Sequence, residues 1–206
     1  RPGLSVQFVP RPWARRLAQQ TVLQRTLSQG SVQQQSGSDR AGRRLIDAAK
    51  ASDRVALRVL LSEGTDANTR AVDGATALHW ATHRDDLEAV DLLIQAGANV
   101  EATNRYGVAP LALASLNGAA AMIEILLDAG ANPNATQPGG ESVLMTAART
   151  GVVAAVRVLL GRGADPNASE AAKGQTALMW AAAENNADVV HALVEAGADV
   201  HARSNT

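Results

Sequence analysis

The stretch Asp73-Gly74-Ala75-Thr76-Ala77-Leu78-His79-Trp80-Ala81, continued by Asp85-Asp86 and closed by Gly97-Ala98-Asn99-Val100, decides the fold. Asp73-Gly74-Ala75 has the composition of a tight turn, and Thr76 follows where a hydroxyl can cap the first orphan N–H groups of a helix. Ala77 to about Arg84 then places Leu78, Ala81 and Thr82 on one side of a short helix. Asp85 and Asp86 interrupt it and open a second helix, where the positive end of the helix dipole favours carboxylates. Leu87, Val90, Leu93 and Ile94 recur at helical spacing along that second helix. Gly97 stands where a left-handed cap ends it.

The unit recurs. Gly64, Gly97, Gly130, Gly163 and Gly197 follow one another at 33, 33, 33 and 34 residues. Leu45, Leu78, Leu111, Leu144 and Leu178 keep the same steps, as do Ala48, Ala81, Ala114, Ala147 and Ala181. Helices this short are not stable alone, and one pair cannot bury its apolar face. Stacking equivalent pairs solves both problems and yields a solenoid in which each unit touches only its neighbours.

The Asp73–Ala81 phrase and the closing Gly97-Ala98-Asn99-Val100 resemble the signature of the ankyrin repeat. Weaker copies occur at Tyr106–Ala114 with Gly130–Asn134, at Gly140–Ala148 with Gly163–Asn167, and at Gly174–Ala182 with Gly197–Val200. The first unit keeps Leu45, Ala48, Ala49 and Gly64-Thr65-Asp66-Ala67-Asn68. The wording, including Trp180-Ala181-Ala182, resembles bacterial members. The resemblance implies an all-α solenoid of about five stacked helix-turn-helix units joined by short β-hairpin-like turns. The units run over 39–72, 73–105, 106–138, 139–172 and 173–206. Two departures stand out: the capping hydroxyl kept at Thr76, Ser142 and Thr176 is replaced by Ala109, and the first-turn proline survives only as Pro110.

Composition agrees with thin layers. Hydrophobic residues make up 46% of the 206-residue chain, yet it has one Phe, one Tyr and three Trp, so Ala, Leu and Val fill the interior. The net charge of -1 excludes a general attraction to nucleic acid or to an anionic membrane. It conceals an asymmetry: residues 1–38 carry five Arg and no acid, whereas 39–206 hold 14 basic and 20 acidic residues. The absence of cysteine removes disulfides, thiolate catalysis and Cys-ligated zinc. No apolar run approaches 18 residues, the length expected of a spanning helix. Residues 1–38 read as a basic tail, disordered or weakly helical. If no signal peptide precedes Arg1 the expected compartment is the cytoplasm; the alternative, after processing, is periplasmic or secreted.

No residue pattern supports catalysis. His79 and His83 have zinc-compatible spacing, but no third ligand accompanies them, and in the family the His79 position bonds between neighbouring repeats. Pro138-Gly139-Gly140 belongs to a repeat turn rather than a phosphate loop, and no glycine-flanked serine follows a strand. We therefore expect no catalytic, metal or cofactor residue and no small-molecule substrate.

The resemblance instead implies a partner-binding strip made by the turn tips and the inner face of the first helices. Carried over position by position, its candidates are Arg70, Asp73, Arg105, Tyr106, Val108, Glu141, Lys173 and Gln175 in the turns. In the first helices they are Trp80, His83, Arg84, Leu116, Asn117, Arg149, Thr150, Trp180 and Glu184. Adding Asp39, Arg40, Lys50, Glu63, Arg162 and Arg203 gives this concave strip nine basic and five acidic residues, leaving five basic and 15 acidic elsewhere in 39–206. A net-basic strip favours a protein partner with an acidic patch, and Tyr106 is the expected aromatic anchor. Trp80 and Trp180, three units apart, lie about 30 Å from each other at ~10 Å per packed helix, too far to share one small ligand. The expected function is a non-catalytic interaction scaffold. The alternatives are the regulatory or targeting arm of a larger enzyme or effector, and a stress-protective or toxin-neutralising accessory protein. The first unit, with Arg43, Arg44, Lys50, Arg54 and Arg58, reads as a polar end, whereas the fifth keeps an internal pattern, as though the array were truncated or covered there.

Overall fold

A computed structural model describes residues 37–205. Its backbone divides after Arg40, and the unit from Ala41 onward holds the repeats. Helical backbone runs over 37–51 (α1), already under way before the expected first-unit boundary at 39. There follow α2 (Arg54–Ser62), α3 (Ala77–His83), α4 (Leu87–Gln95), α5 (Pro110–Asn117) and α6 (Ala120–Asp128). Then come α7 (Val143–Thr150), α8 (Val153–Gly161), α9 (Ala177–Ala183) and α10 (Ala187–Glu195). The expected basic tail lies almost wholly outside the described residues.

The helices form two layers. In the first, α3 packs on α5, α5 on α7 and α7 on α9; in the second, α2 packs on α4, α4 on α6, α6 on α8 and α8 on α10. Each unit closes by contact between its own two helices, as α3 does with α4. The repeated residues form the columns of the core. Leu45, Leu78, Leu111 and Leu144 are buried, and so are Leu60, Leu93, Leu126, Leu159 and Leu193. Ala81, Ala114, Ala147 and Ala181 are fully buried where the layers approach closely, which a larger side chain would prevent.

The turn between the helices of a unit needs one residue in the left-handed region. Gly118 and Gly151 supply it in the third and fourth units, while Ser52, Asp85 and Asn185 adopt it elsewhere with φ of 55 to 58°. At Gly151 a Cβ would lie 2.7 Å from Asn186 Oδ1, so a side chain there would displace the residue whose Nδ2 caps α7 by donating to the carbonyls of Ala148 and Arg149.

Between units the chain is joined through side chains on the connections. Asn68 donates from Nδ2 to Gly97 O and accepts from Asn99 N. Asn134 and Asn167 repeat both bonds two and three units on from Asn68. Glu101 takes the position of the missing asparagine and accepts from Asn132 N. Isolated antiparallel bridges, Thr136 with Ser142 and Ser169 with Thr176, are the hairpin-like parts of the turns.

Candidate functional site

The expected candidates sit in the turns and on or beside the first-helix layer of α3, α5, α7 and α9. His79 shows how this layer is held. It is buried, the Thr76 N–H donates to its Nδ1 at 3.1 Å, and its Nε2 lies 3.0 Å from Val108 O in the next unit. An N–H can only donate, so Nδ1 accepts and the ring proton sits on Nε2, directed at the Val108 carbonyl. Both nitrogens are thereby committed, which removes His79 as a metal ligand, and burial holds its pKa below the usual 6.5. The hydroxyl of Thr76 lies 2.9 Å from the same Nδ1 rather than capping α3 alone as expected. Among the described residues no cluster of metal-binding side chains exists.

The tryptophans are set by cations from the unit before. Lys50 Nζ lies 4.9 Å from the centre of the Trp80 ring, and Arg149 Cζ lies 5.2 Å from that of Trp180. His83 meets Trp80 edge-on at 6.1 Å. Both tryptophans are half-buried, and each buries an indole N–H that has no partner. Sequence spacing gave the Trp positions but not the cations above them, because the members of each pair lie a repeat apart.

The other candidates divide by exposure and by engagement. Arg70, Arg84, Arg105, Tyr106, His83, Leu116, Asn117, Lys173 and Glu184 are exposed; Asp73, Val108, Glu141, Arg149, Thr150 and Gln175 are partly buried. Arg70 donates to Thr103 O, and Arg105 donates to Val72 O while lying 5.9 Å from the Tyr106 ring centre. Asp73 caps its own turn through Ala75 N, and Val108 serves His79 through its carbonyl. Glu141 accepts from Thr146 Oγ1 and stands 3.8 Å from Arg149, so these two charges partly offset each other. Asn117 reaches His83 O, Thr150 folds back on Ala147 O, and the Gln175 N–H is 3.3 Å from Glu170.

Three placements differ from expectation. Arg162 belongs to the second-helix layer, where it pairs with Asp128 and with Glu124 on α6. Arg54 and Arg58, read as part of a polar end, are exposed but also have partners. They reach the second unit, Arg54 to Asp86 at 2.8 Å and to Glu88 at 3.0 Å, and Arg58 to Glu88. Asp86, read as a helix-start charge, is buried, caps α4 through Ala89 N and receives Arg54 as well. With Arg157 on Glu195, the second-layer arginines Arg54, Arg58, Arg157 and Arg162 all have carboxylate partners. By contrast, among the described residues Arg70, Arg84 and Arg105 have none.

Glu170 was not foreseen. It is buried at the fifth turn, which is one residue longer than the others. Burial opposes its ionisation, but the N–H groups of Gln175, Ala172 and Lys173 donate to its carboxylate and hold its pKa below the usual carboxylate range. Asn104 does the same work at the third turn by accepting from Tyr106 N and Val108 N.

Two depressions open beside the turns and first helices. One, of 340 Å³, lies between α1 and the connection at 70–72, with Arg43, Asp47, Lys50 and Arg70 around a floor that includes Ile46. The other, of 200 Å³, lies one repeat on, between Trp80 and Leu113, with Asp73, His83 and Asn104 at its sides.

The sequence profile of ankyrin repeats, in three copies, matches residues 45–137 and 135–204. The chain belongs to the ankyrin-repeat family. It is also 38% identical over 73 residues to an ankyrin repeat-containing protein of Treponema pallidum (strain Nichols), a match covering 35% of this chain and 24% of that protein. The chain therefore aligns with about a quarter of this relative's length. Ankyrin repeats are in general protein–protein interaction modules, and the family is typically non-catalytic. No helix among the described residues is long and apolar enough to cross a membrane.

Proposed function

We propose that this ankyrin-repeat chain is a non-catalytic scaffold whose turn-tip and first-helix strip binds a protein partner through an acidic patch. The observation that carries the reading is the division of the arginines. Those of the second layer are occupied by carboxylates of the chain itself, whereas Arg70, Arg84 and Arg105 are exposed and, among the described residues, have no acid paired with them. Unpaired cations on one strip steer an acidic partner and disfavour a basic one, and Tyr106 beside Arg105 offers the aromatic anchor. The same division speaks against nucleic acid, since the acids of the second layer would repel a phosphate backbone that reached around the strip.

The test is a partner captured by the intact chain and then titrated against two variants. Charge reversal at Arg84 and Arg105 should lower its affinity at least tenfold with the melting temperature changed by only a few degrees. Reversal of the exposed second-layer acids Asp91 and Asp188 should leave affinity within twofold. The opposite pattern would overturn the assignment of the face. A second reading, the targeting arm of a larger enzyme or effector, is favoured by the relative of which only 24% is matched; a catalytic domain in the same open reading frame would establish it.

A further inference from the structure

The two depressions share a wall. Lys50 lines the larger one and lies over the ring of Trp80, which lines the smaller one. In the larger, Arg43, Lys50 and Arg70 face a single acid, Asp47, which stands 3.7 Å from Lys50 and is largely exposed. Two positive charges are thus left over above an apolar floor. That is a seat for a carboxylate attached to a carbon chain rather than for a fully hydrated ion. The smaller depression is chemically different. Trp80 and Leu113 give it apolar walls, and the Asp73 carboxylate at its side disfavours a second acid.

The spacing between the two constrains what can fill both. They lie one repeat apart along the first-helix layer, which is about 9–10 Å for packed helices. An extended strand at ~3.3 Å per residue would cover this in about three residues, but residues three apart in a strand point to opposite sides. A polyproline-type segment rises ~3.1 Å per residue with three residues per turn, so residues three apart lie ~9.3 Å from each other on the same side. Such a segment needs little ordering on binding, which favours it for a shallow site.

We propose that these paired depressions read a short linear segment of the partner, with Asp or Glu seated among Arg43, Lys50 and Arg70 and a bulky apolar side chain three residues away seated between Trp80 and Leu113. This deepens the acidic-partner reading above and rests on it. Asp73 makes the pair directional in chemistry: acid in the first seat, apolar group in the second.

The probe is a displayed library of random dodecapeptides selected against the full chain. Enriched peptides should carry an acidic residue three positions from Leu, Ile, Met or an aromatic residue. Their binding should fall at least tenfold for R43E/R70E and for an alanine at either peptide position. Addition of such a peptide should also shift the indole N–H resonance of Trp80 and leave that of Trp180 in place, a readout that does not depend on any variant folding. Peptides without this spacing, a Trp80 resonance that does not move, or no enriched peptide at all would overturn the inference. Peptides indifferent to R43E/R70E but weakened by reversal at Arg84 and Arg105 would overturn these seats and leave the wider face standing. Peptides indifferent to both sets of reversals would overturn the two together.

Discussion

His79 is the residue on which two units agree, and its chemistry makes the fold sensitive to acid. Its Nδ1 accepts from Thr76 N and its Nε2 serves the Val108 carbonyl, so protonation of Nδ1 breaks the first bond and charges a buried ring. Burial holds the folded pKa below 6.5. The unfolded chain therefore binds the proton more readily, and the stabilisation is full above about pH 6.5 and lost as the pH falls towards the folded value. We expect the urea midpoint of the native chain to decline across that window more steeply than that of His79→Ala. The variant itself should lose about 2–3 kcal/mol at pH 8, because the Val108 carbonyl and the Thr76 N–H are left without their partner. Parallel declines for the two proteins would show that other groups set the acid response. Glu170 contributes with the opposite ionisation: its lowered pKa gives stability that is present above its unfolded value near 4.5 and disappears as the pH falls through the folded one. His79 was legible from its place in the repeat phrase. Glu170 was not, because its role depends on a turn one residue longer than its neighbours, and nothing in the local residues says where that residue is absorbed. Arg54 and Asp86 were read separately and become one device only when stacking brings positions 32 residues apart to 2.8 Å.

At the scale of the helix, the caps vary from unit to unit while the helices persist. Ser142 Oγ accepts from Met145 N at 3.2 Å and Thr176 Oγ1 from Met179 N at 3.4 Å, whereas Ala109 offers α5 no side-chain cap. Its backbone is already extended, with φ −94° and ψ 161°, close to that of Ser142 at −79° and 158°. A threonine fits that conformation without rearrangement. Ala109→Thr should stabilise the protein by roughly 0.5–1 kcal/mol, seen as a raised urea midpoint with an unchanged slope. An unchanged or lowered midpoint would mean that water or a neighbouring group already satisfies the start of α5. The helices themselves were legible because every unit repeats the same apolar columns, and Leu45, Leu78, Leu111 and Leu144 land in the core at the expected spacing. Their side-chain alliances were less so. Lys50 over Trp80 and Arg149 over Trp180 each join one unit to the next, the second across the packing of α7 on α9, a relation carried by geometry between units rather than by any one helix's pattern. The misplacement of Arg162 has the same origin: it sits past the end of α8, where sequence does not say which layer a long side chain will follow.

Across the whole array, stability is a sum of units and of the interfaces between them, so a unit covered on one side only opens first. The third and fifth units can be compared position by position. Leu111, Ala112, Ser115, Ile123 and Leu127 in the third are all buried. Their counterparts in the fifth are Leu178, Met179 and Val190, each half-buried, Ala182, which is exposed, and Val194, which is 44% exposed. The other half of the fifth unit, facing the fourth, is intact: Val189 and Leu193 are fully buried and α9 packs on α7. The asymmetry thus resides in the uncovered side and not in poor folding of the helices. The first unit is secured differently, since Arg54 and Arg58 tie it to Asp86 and Glu88 of the second, even though Val55 and Val59 on α2 remain exposed. For the 206-residue chain as a monomer, amide hydrogens of α9 and α10 should therefore exchange at least tenfold faster than those of α5 and α6, a difference of about 1.4 kcal/mol in local opening. Raising the protein concentration should slow exchange in α9 and α10 selectively if the exposed apolar side is covered by association. Equal protection of the third and fifth units in a sample shown to be monomeric by light scattering would refute this account, because it would require the fifth unit to draw its stability from contacts other than the side its neighbours leave open.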